Sequence, residues 1–277
     1  MSQHRPGAGY RSDRHGHDLP TGAGILARAD GTSIAYNRVA GKTPGIVFLH
    51  GYRSDMTGNK ATELEALGRA LGHAVVRFDA YGHGGSNKGD VEDATISRWL
   101  EDALAVIDVL TEGPQILVGS SAGAWVALLA ALQRPRRVAG LVGIAAAPDF
   151  TEDLIWAVLS SEQRRELIEA DAISLPNCYD PASPWRIRRA FIEDGRQNLL
   201  LRDTINIFCP VRLIHGQEDE DVPWSTALRL AENLATEDVE VMLVKDGDHR
   251  LSRPADLFRL RRVVEDLIAA VPFDPPA

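Results

Sequence analysis

The chain has 277 residues, of which 44% are hydrophobic and 25% are charged, an ordinary composition for a soluble protein with a buried core. The net charge of −9 argues against a nucleic-acid partner, which requires a clustered basic surface. The longest apolar runs are far shorter than the ~18–20 residues of a membrane span, so we expect no stable membrane insertion.

The first segment, residues 1–24, is rich in Gly, Arg, His and Asp and lacks an apolar stretch. We therefore interpret it as a flexible tail and not as a secretory signal. The chain contains only two cysteines, so we expect no disulfide framework. With no leader evident, we predict a cytoplasmic location.

From Gly31 onward, short apolar runs alternate with segments of helical period, which is typical of a parallel sheet with crossover helices. In chain order, the predicted elements are strand Ile46–Leu49, helix Thr62–Leu71, strand Ala74–Phe78, helix Ile96–Leu110, strand Gln115–Val118, helix Ala122–Leu132, strand Val138–Ala147, strand Val211–His215, helix Thr226–Leu234, strand Val239–Val244 and helix Ala255–Ala270.

This alternation stops between Pro148 and Pro210, where we predict helical pieces, including one from Trp185 to Asp194, but no buried strand. We interpret residues 149–209 as a small helical cap, inserted into a core formed by residues 25–148 and 210–272.

The cap is expected to cover the candidate site and to determine its substrate. Candidate substrate-binding side chains are Phe150, Trp156 and Trp185 of the cap and Trp125 of the core. Packing of these aromatic side chains against the core is the alternative interpretation. The cap arginines Arg186, Arg188 and Arg189 are either contacts for an anionic group or part of a solvated surface.

The motif with the clearest chemical meaning is Gly119-Ser120-Ser121-Ala122-Gly123, between a predicted strand and a predicted helix. A nucleophilic serine on such a sharp turn requires small residues two positions to either side. The N-terminus of the following helix supplies free N–H groups for a developing oxyanion. We predict Ser121 as the nucleophile and the backbone N–H groups of Ala122 and Tyr52 as the oxyanion hole; a serine in an ordinary turn is the alternative.

A serine nucleophile needs a base, and His249 lies in the loop between the last strand and the final helix. The third residue is expected after the strand Val211–His215, where we favour Asp219 over Asp221 and Glu218. The resulting order Ser, Asp, His is the order found in the α/β-hydrolase fold.

Several of these motifs together resemble the α/β-hydrolase superfamily: His50-Gly51, Asp79-x-x-Gly82-x-Gly84, Gly119-x-Ser121-x-Gly123, His215-Gly216-x-x-Asp219-x-x-Val222-Pro223 and Asp248-His249. More narrowly, the chain is similar to the palmitoyl-protein thioesterase family of the mitochondrial α/β-hydrolase domain-containing protein ten and its bacterial relatives. That similarity runs from about Asp30 to about Ala270. One departure is Ala124, where relatives tend to carry glycine.

The resemblance implies an α/β fold, with a mostly parallel central sheet, helices on both faces and the cap inserted before the strand that precedes the catalytic acid. It also implies a serine hydrolase that cleaves a small-molecule or acylated substrate, an ester or a thioester, through an acyl-enzyme, without a metal or organic cofactor. A general carboxylesterase acting on small or glucuronide esters and a non-hydrolytic binding protein of the same fold are the alternatives.

Overall fold

The computed structural model describes residues 19–86, 89–177, 182 and 184–271. Most of the predicted N-terminal tail, residues 1–18, lies outside the described residues, as does Cys178. The described end of that segment already belongs to the fold, because Gly22–Ala27 is the first strand of the sheet.

Ten strands are described: β1 (Gly22–Ala27), β2 (Ser33–Val39), β3 (Lys42–Leu49), β4 (His73–Phe78), β5 (Gln115–Ser120), β6 (Val138–Ile144), β7 (Ala172–Leu175), β8 (Trp185–Arg188), β9 (Val211–Gly216) and β10 (Val239–Val244). Eight of them form one sheet in the order β1-β2-β4-β3-β5-β6-β9-β10. Within this eight-stranded sheet, the pairs β1 with β2 and β2 with β4 are antiparallel and the other five pairs are parallel. The predicted mostly parallel sheet is therefore confirmed.

Seven α-helices connect or flank these strands: α1 (Asn59–Leu71), α2 (Ile96–Leu110), α3 (Ala122–Gln133), α4 (Ser161–Ala170), α5 (Arg189–Arg196), α6 (Ser225–Asn233) and α7 (Pro254–Ala270). Side chains of α2, α3 and α6 pack on one face of the sheet, and those of α1 and α7 pack on the other. The second half of β3, residues 46–49, is therefore buried on both faces, which is why that stretch is continuously apolar. Along the described part of the chain, no helix is long and apolar enough to cross a membrane.

The segment between β6 and β9 contains α4, α5 and a separate antiparallel pair, β7 with β8. The predicted helix from Trp185 is wrong over its first four residues, because Trp185–Arg188 is strand β8. Its sequence alternates apolar and charged residues with the strand period of two, and buried Ile187 lies opposite buried Ile173. The segment is thus not wholly helical.

The two ends of this segment are tied together by the fully buried side chain of Asp149. Its two carboxylate oxygens accept hydrogen bonds from the backbone N–H groups of Leu200 and Leu201, at 2.7 and 2.9 Å. This contact holds the segment over the carboxyl edge of the sheet, where β5 leads into α3.

Candidate active site

Ser121 lies between the end of β5 and the first residue of α3. Its backbone has φ of 54° and ψ of −122°, a conformation that is unfavourable for a residue with a side chain. The Ser121 N–H donates to the carbonyl of Ile144 at 2.8 Å and fixes the turn against β6. The turn directs Oγ toward His249 Nε2, 3.0 Å away.

The two glycines of the motif are required by close backbone contacts. A Cβ atom at Gly119 would lie 2.4 Å from Cα of Ala124, and one at Gly123 would lie 2.3 Å from the carbonyl oxygen of Leu49. Neither distance is compatible with a side chain. The close approach of helix α3 to strands β3 and β5 is therefore possible only with glycine at both positions.

His249 lies in the loop after β10 and contacts both other predicted residues. Its Nδ1–H donates to Oδ2 of Asp219 at 2.8 Å, and its Nε2 lies 3.0 Å from Oγ of Ser121. With the proton on Nδ1, Nε2 is left as an acceptor for the hydroxyl proton. The structure thus brings Ser121, His249 and Asp219 together in one hydrogen-bonded row.

Asp219 is distinguished from its acidic neighbours by its hydrogen bonds. Its side chain is fully buried, and Oδ1 accepts from the backbone N–H groups of Asp221 and Val222 at 2.9 and 2.8 Å. Burial acts to raise the pKa of Asp219, but the hydrogen bonds from His215 and His249 outweigh it and hold the pKa well below its usual range. The carboxylate facing His249 is therefore ionised. Glu218 is exposed and Asp221 lines the adjacent cavity.

His215 is a further member of this network, and it is not among the site residues predicted from the sequence. Its buried Nε2 lies 3.0 Å from Oδ2 of Asp219 and 3.0 Å from the carbonyl oxygen of Val222. A carbonyl only accepts, so the proton is on Nε2 and is donated to these two oxygens. The His-Gly pair at the end of β9 was the available sequence signal.

The two predicted oxyanion donors are the backbone N–H groups of Ala122, directly after Ser121, and of Tyr52, in the loop after β3. Ala122 is the first residue of α3, so its N–H has no acceptor within the helix. The Tyr52 N–H donates to no backbone carbonyl among the residues described. Both N–H groups are therefore available to a bound oxyanion.

The loop that carries Tyr52 is held at its two ends by histidines. His50 Nδ1–H donates to the carbonyl of Gly51 at 2.8 Å, and His83 Nε2 accepts from the N–H of Arg53 at 3.0 Å. Burial lowers the pKa of His83 to about 4 and also lowers that of His50. Both rings are thus neutral near pH 7, which the acceptor role of His83 Nε2 requires.

A cavity of about 810 Å³ opens beside Ser121 and His249. Its cap side is lined by Phe150, Leu154, Ile155 and Trp185, whereas other parts of the wall carry cationic side chains: Arg53, Lys60, Arg250 and Arg253. Both an apolar and a cationic surface therefore border the row of Ser121 and His249.

The four predicted substrate-binding aromatic residues divide into two groups. Phe150 and Trp185 line the cavity. Trp125 does not: it is fully buried, and its indole N–H donates to the carbonyl of Asn198 at 3.0 Å, which makes it a core residue. Trp156 also lies outside the lining, because its ring is covered by the guanidinium groups of Arg164 and Arg196.

One group of potential metal ligands occurs in the described residues: Asp219, Asp221 and His249, whose ligating atoms lie within 4.8 Å of one another. Asp219 and His249 already use these atoms to hydrogen-bond to each other. We therefore assign this group to the row described above.

Comparison with known proteins agrees with this architecture. The model of the alpha/beta hydrolase family matches residues 46–260. The mitochondrial palmitoyl-protein thioesterase ABHD10 of Mus musculus is 42% identical over 244 residues, which are 88% of this chain and 82% of that protein. The corresponding human protein is 40% identical over 248 residues, 90% of this chain and 80% of that protein.

Two solved structures are similar over 91% of this chain and their entire length. The mouse α/β-hydrolase domain-containing protein 10 has a TM-score of 0.85 at 40% identity. A putative hydrolase from Agrobacterium vitis S4 has a TM-score of 0.84 at 44% identity.

These relatives overturn the predicted cytoplasmic location. The ABHD10 proteins of mouse, cow, orangutan, human and rat are all named mitochondrial. The prediction rested on the absence of an evident leader in residues 1–24, and an absence of that kind does not determine a location. The family match over residues 46–260 and the identity to these relatives show that the chain belongs to the α/β-hydrolase family.

Proposed function

We propose that this protein is a serine hydrolase that cleaves acyl thioesters through an acyl-enzyme intermediate. The observation that carries the proposal is the row Asp219–His249–Ser121, with hydrogen-bond distances of 2.8 and 3.0 Å, at the edge of a cavity with an apolar wall. Relatives at 40–42% identity are named palmitoyl-protein thioesterases, which favours a thioester with a long acyl chain as the substrate.

In the first step, Oγ of Ser121 attacks the thioester carbonyl while Nε2 of His249 takes the hydroxyl proton. The N–H groups of Tyr52 and Ala122 donate to the oxyanion of the tetrahedral intermediate. The intermediate then breaks its carbon–sulfur bond, and His249 returns the proton to the leaving sulfur. The products of this step are a free thiol and an acyl ester on Ser121.

In the second step, water attacks the acyl ester, and His249 takes a proton from that water. Collapse of the second tetrahedral intermediate breaks the carbon–Oγ bond and returns the proton to Ser121. Asp219 stays ionised throughout and stabilises the imidazolium form of His249, for which its low pKa suits it.

The acyl chain is assigned to the cap side of the cavity. Phe150, Leu154, Ile155 and Trp185 present carbon surface there, and burying a methylene group of a ligand against such surface is worth about 0.8 kcal/mol. Longer acyl chains are therefore expected to bind more tightly until the wall ends.

The test is a matched panel of thioesters and oxyesters with short, medium and long acyl chains, with Ser121→Ala as the inactive control. Preference for long-chain thioesters, lost in the variant, is the expected result. Labelling of the wild type by a fluorophosphonate, absent in Ser121→Ala, locates the nucleophile independently. Preference for short oxyesters would favour a general carboxylesterase, and undiminished turnover by Ser121→Ala would refute the assigned mechanism.

A further inference from the structure

Lys60 is a cation in the wall of the cavity, and it has no carboxylate partner among the residues that the structure describes. It lies in the first turn of α1, and its ammonium group donates to the carbonyl of Arg250 at 2.5 Å and to Oγ of Ser252 at 3.3 Å. Within the described ranges, no Asp or Glu forms an ion pair with it. Asp248 and Asp256 act on it from farther away, and Asp256 is already bound by Arg253 and Arg259.

This placement is unfavourable for a protonated lysine. Buried charges are normally paired, and a cation at a helix N-terminus is repelled by the positive end of the helix dipole. The first turn of α1 contains no acidic residue, and its N-cap, Gly58, offers no side chain. Burial, with a further contribution from Arg250, lowers the pKa of Lys60 to about 8.

Three other cations near the cavity have carboxylate partners, and Arg53 of the cavity wall is exposed to solvent and lies over the Tyr52 ring. The cap arginines Arg186 and Arg188 pair with Glu92 and Asp93, both at 3.1 Å. In the cavity wall, Arg253 pairs with Asp246 and with Asp256 at 2.8 Å. Lys60 therefore differs from these arginines: it is half-buried, its hydrogen bonds go to uncharged oxygens, and an anion in the cavity would stabilise its protonated form.

The position of Lys60 relates it to one half of the substrate. Its ammonium is bound to the carbonyl of Arg250, the residue directly after His249. In the proposed reaction His249 protonates the leaving group, so the leaving group must lie next to this loop. The apolar lining, by contrast, comes largely from the cap.

We propose that Lys60 binds an anionic group, a carboxylate or a phosphate, carried by the leaving group of the substrate. The inference rests on the proposed function and specifies its substrate class: an acyl thioester whose thiol half is negatively charged. Lys60 keeps its proton throughout, and the leaving sulfur receives its proton from His249. The ammonium thus contributes binding and orientation.

The experiment compares three thioesters with the same octanoyl chain and different thiol halves. These are 4′-phosphopantetheine with a phosphate, 3-mercaptopropionate with a carboxylate, and N-acetylcysteamine without charge. The ratio of kcat/KM for each anionic ester to that for the neutral ester is measured in the wild type, Lys60→Met and Lys60→Arg. Lys245→Met, which removes an exposed lysine outside the cavity lining, is the matched control.

We expect the wild-type ratio to exceed one for at least one anion, and to fall about tenfold in Lys60→Met. Lys245→Met should leave it unchanged and Lys60→Arg should retain part of it. The anion with the larger ratio identifies the chemistry of the leaving group.

The pH dependence of the same ratio separates charge from packing. The ratio removes any effect of pH on the chemical step, because the charged and the neutral ester share that step. The charged groups that act on the ammonium are Arg250 and Asp248 of the loop after β10 and Asp256 of α7, and Arg253, the N-cap of α7, lies in the same cavity wall. The wild-type ratio should fall as pH rises through about 8, where Lys60 loses its proton, whereas that of Lys60→Arg should not.

Two results would overturn the inference alone: equal kcat/KM for charged and neutral thioesters in the wild type, or an equal loss on all three esters in Lys60→Met. The second would show that the lysine acts through packing, and thermal unfolding of that variant checks its fold. If none of the three thioesters is hydrolysed, the proposed function is overturned together with the inference.

Discussion

Nε2 of His215 lies 3.0 Å from Oδ2 of Asp219, the same carboxylate oxygen that His249 contacts at 2.8 Å. The buried side chain of His215 thus orients the Asp219 carboxylate, and that carboxylate in turn orients His249. Two backbone N–H groups on Oδ1 complete the arrangement. This network holds Asp219 in a single position and charge state, and Asp221, two residues away, does not take that position.

The first prediction concerns these two acids. Asp219→Asn should lower kcat by about 10³–10⁴-fold, because the amide no longer stabilises the imidazolium of His249 or its Nδ1–H tautomer. Asp221→Asn should lower kcat by less than about tenfold, because the hydrogen bonds of the row join His249 to Asp219 and to Ser121. Steady-state kinetics on the neutral octanoyl thioester measures both. The reverse order of effects would assign the role to Asp221.

The second prediction concerns stability in acid. The pKa of His83 is about 4 in the folded protein, against an ordinary value of 6.5, so the unfolded chain binds more protons between these values. Stability should therefore fall as pH is lowered from 6.5 to 4, with about 3 kcal/mol of the fall due to His83. Urea unfolding of the wild type across this range measures the slope.

His83→Gln is the matched variant for that measurement. The glutamine carbonyl can still accept the Arg53 N–H, but it does not titrate. Its unfolding free energy should fall less steeply with acid than that of the wild type, while His83→Leu should lose about 1–3 kcal/mol at neutral pH because the amide is left unpaired. Parallel pH profiles for the wild type and His83→Gln would contradict this.

A third prediction concerns the attachment of the cap. Asp149→Ala should lower the free energy of unfolding by about 2–5 kcal/mol, because it leaves the N–H groups of Leu200 and Leu201 without acceptors in a buried position. Asp153→Ala, which removes a partly exposed partner of Arg202 and Arg229, should cost less than about 1 kcal/mol. Urea unfolding compares them, and limited proteolysis should cut the cap of Asp149→Ala faster.

A fourth prediction concerns the turn around Ser121. Gly123→Ala should destabilise the fold by about 3 kcal/mol or more and strongly reduce kcat, because the new Cβ meets backbone oxygens of Leu49 and His50 that cannot move independently. Ala124→Gly should cost only about 1 kcal/mol and keep activity. Unfolding and thioesterase assays distinguish the two, and a fully active Gly123→Ala would show that this contact is not needed.

Local signals predicted the elements best. Helix α2 spans Ile96–Leu110 as predicted, because its apolar period is continuous and Thr95 caps it by accepting from the N–H of Arg98. Strands β1 and β2 were missed. Strand β1 pairs with β2, and β2 pairs with β4. Half-buried and exposed residues alternate along β1, and β2 contains the polar residues Asn37 and Arg38, so neither strand carries a continuous apolar run.

By itself, the sequence determined the strand–turn–helix around Ser121 and the alternation that builds the sheet, because glycine spacing and apolar period act over a few neighbouring residues. Only the tertiary structure decided which acid faces His249, that His215 and His83 support the site, and that Lys60 lines the cavity. It also decided that Phe150 and Trp185 line the cavity while Trp125 and Trp156 do not. Each of these depends on distances between residues far apart in the chain, which are set by how strands and cap pack together.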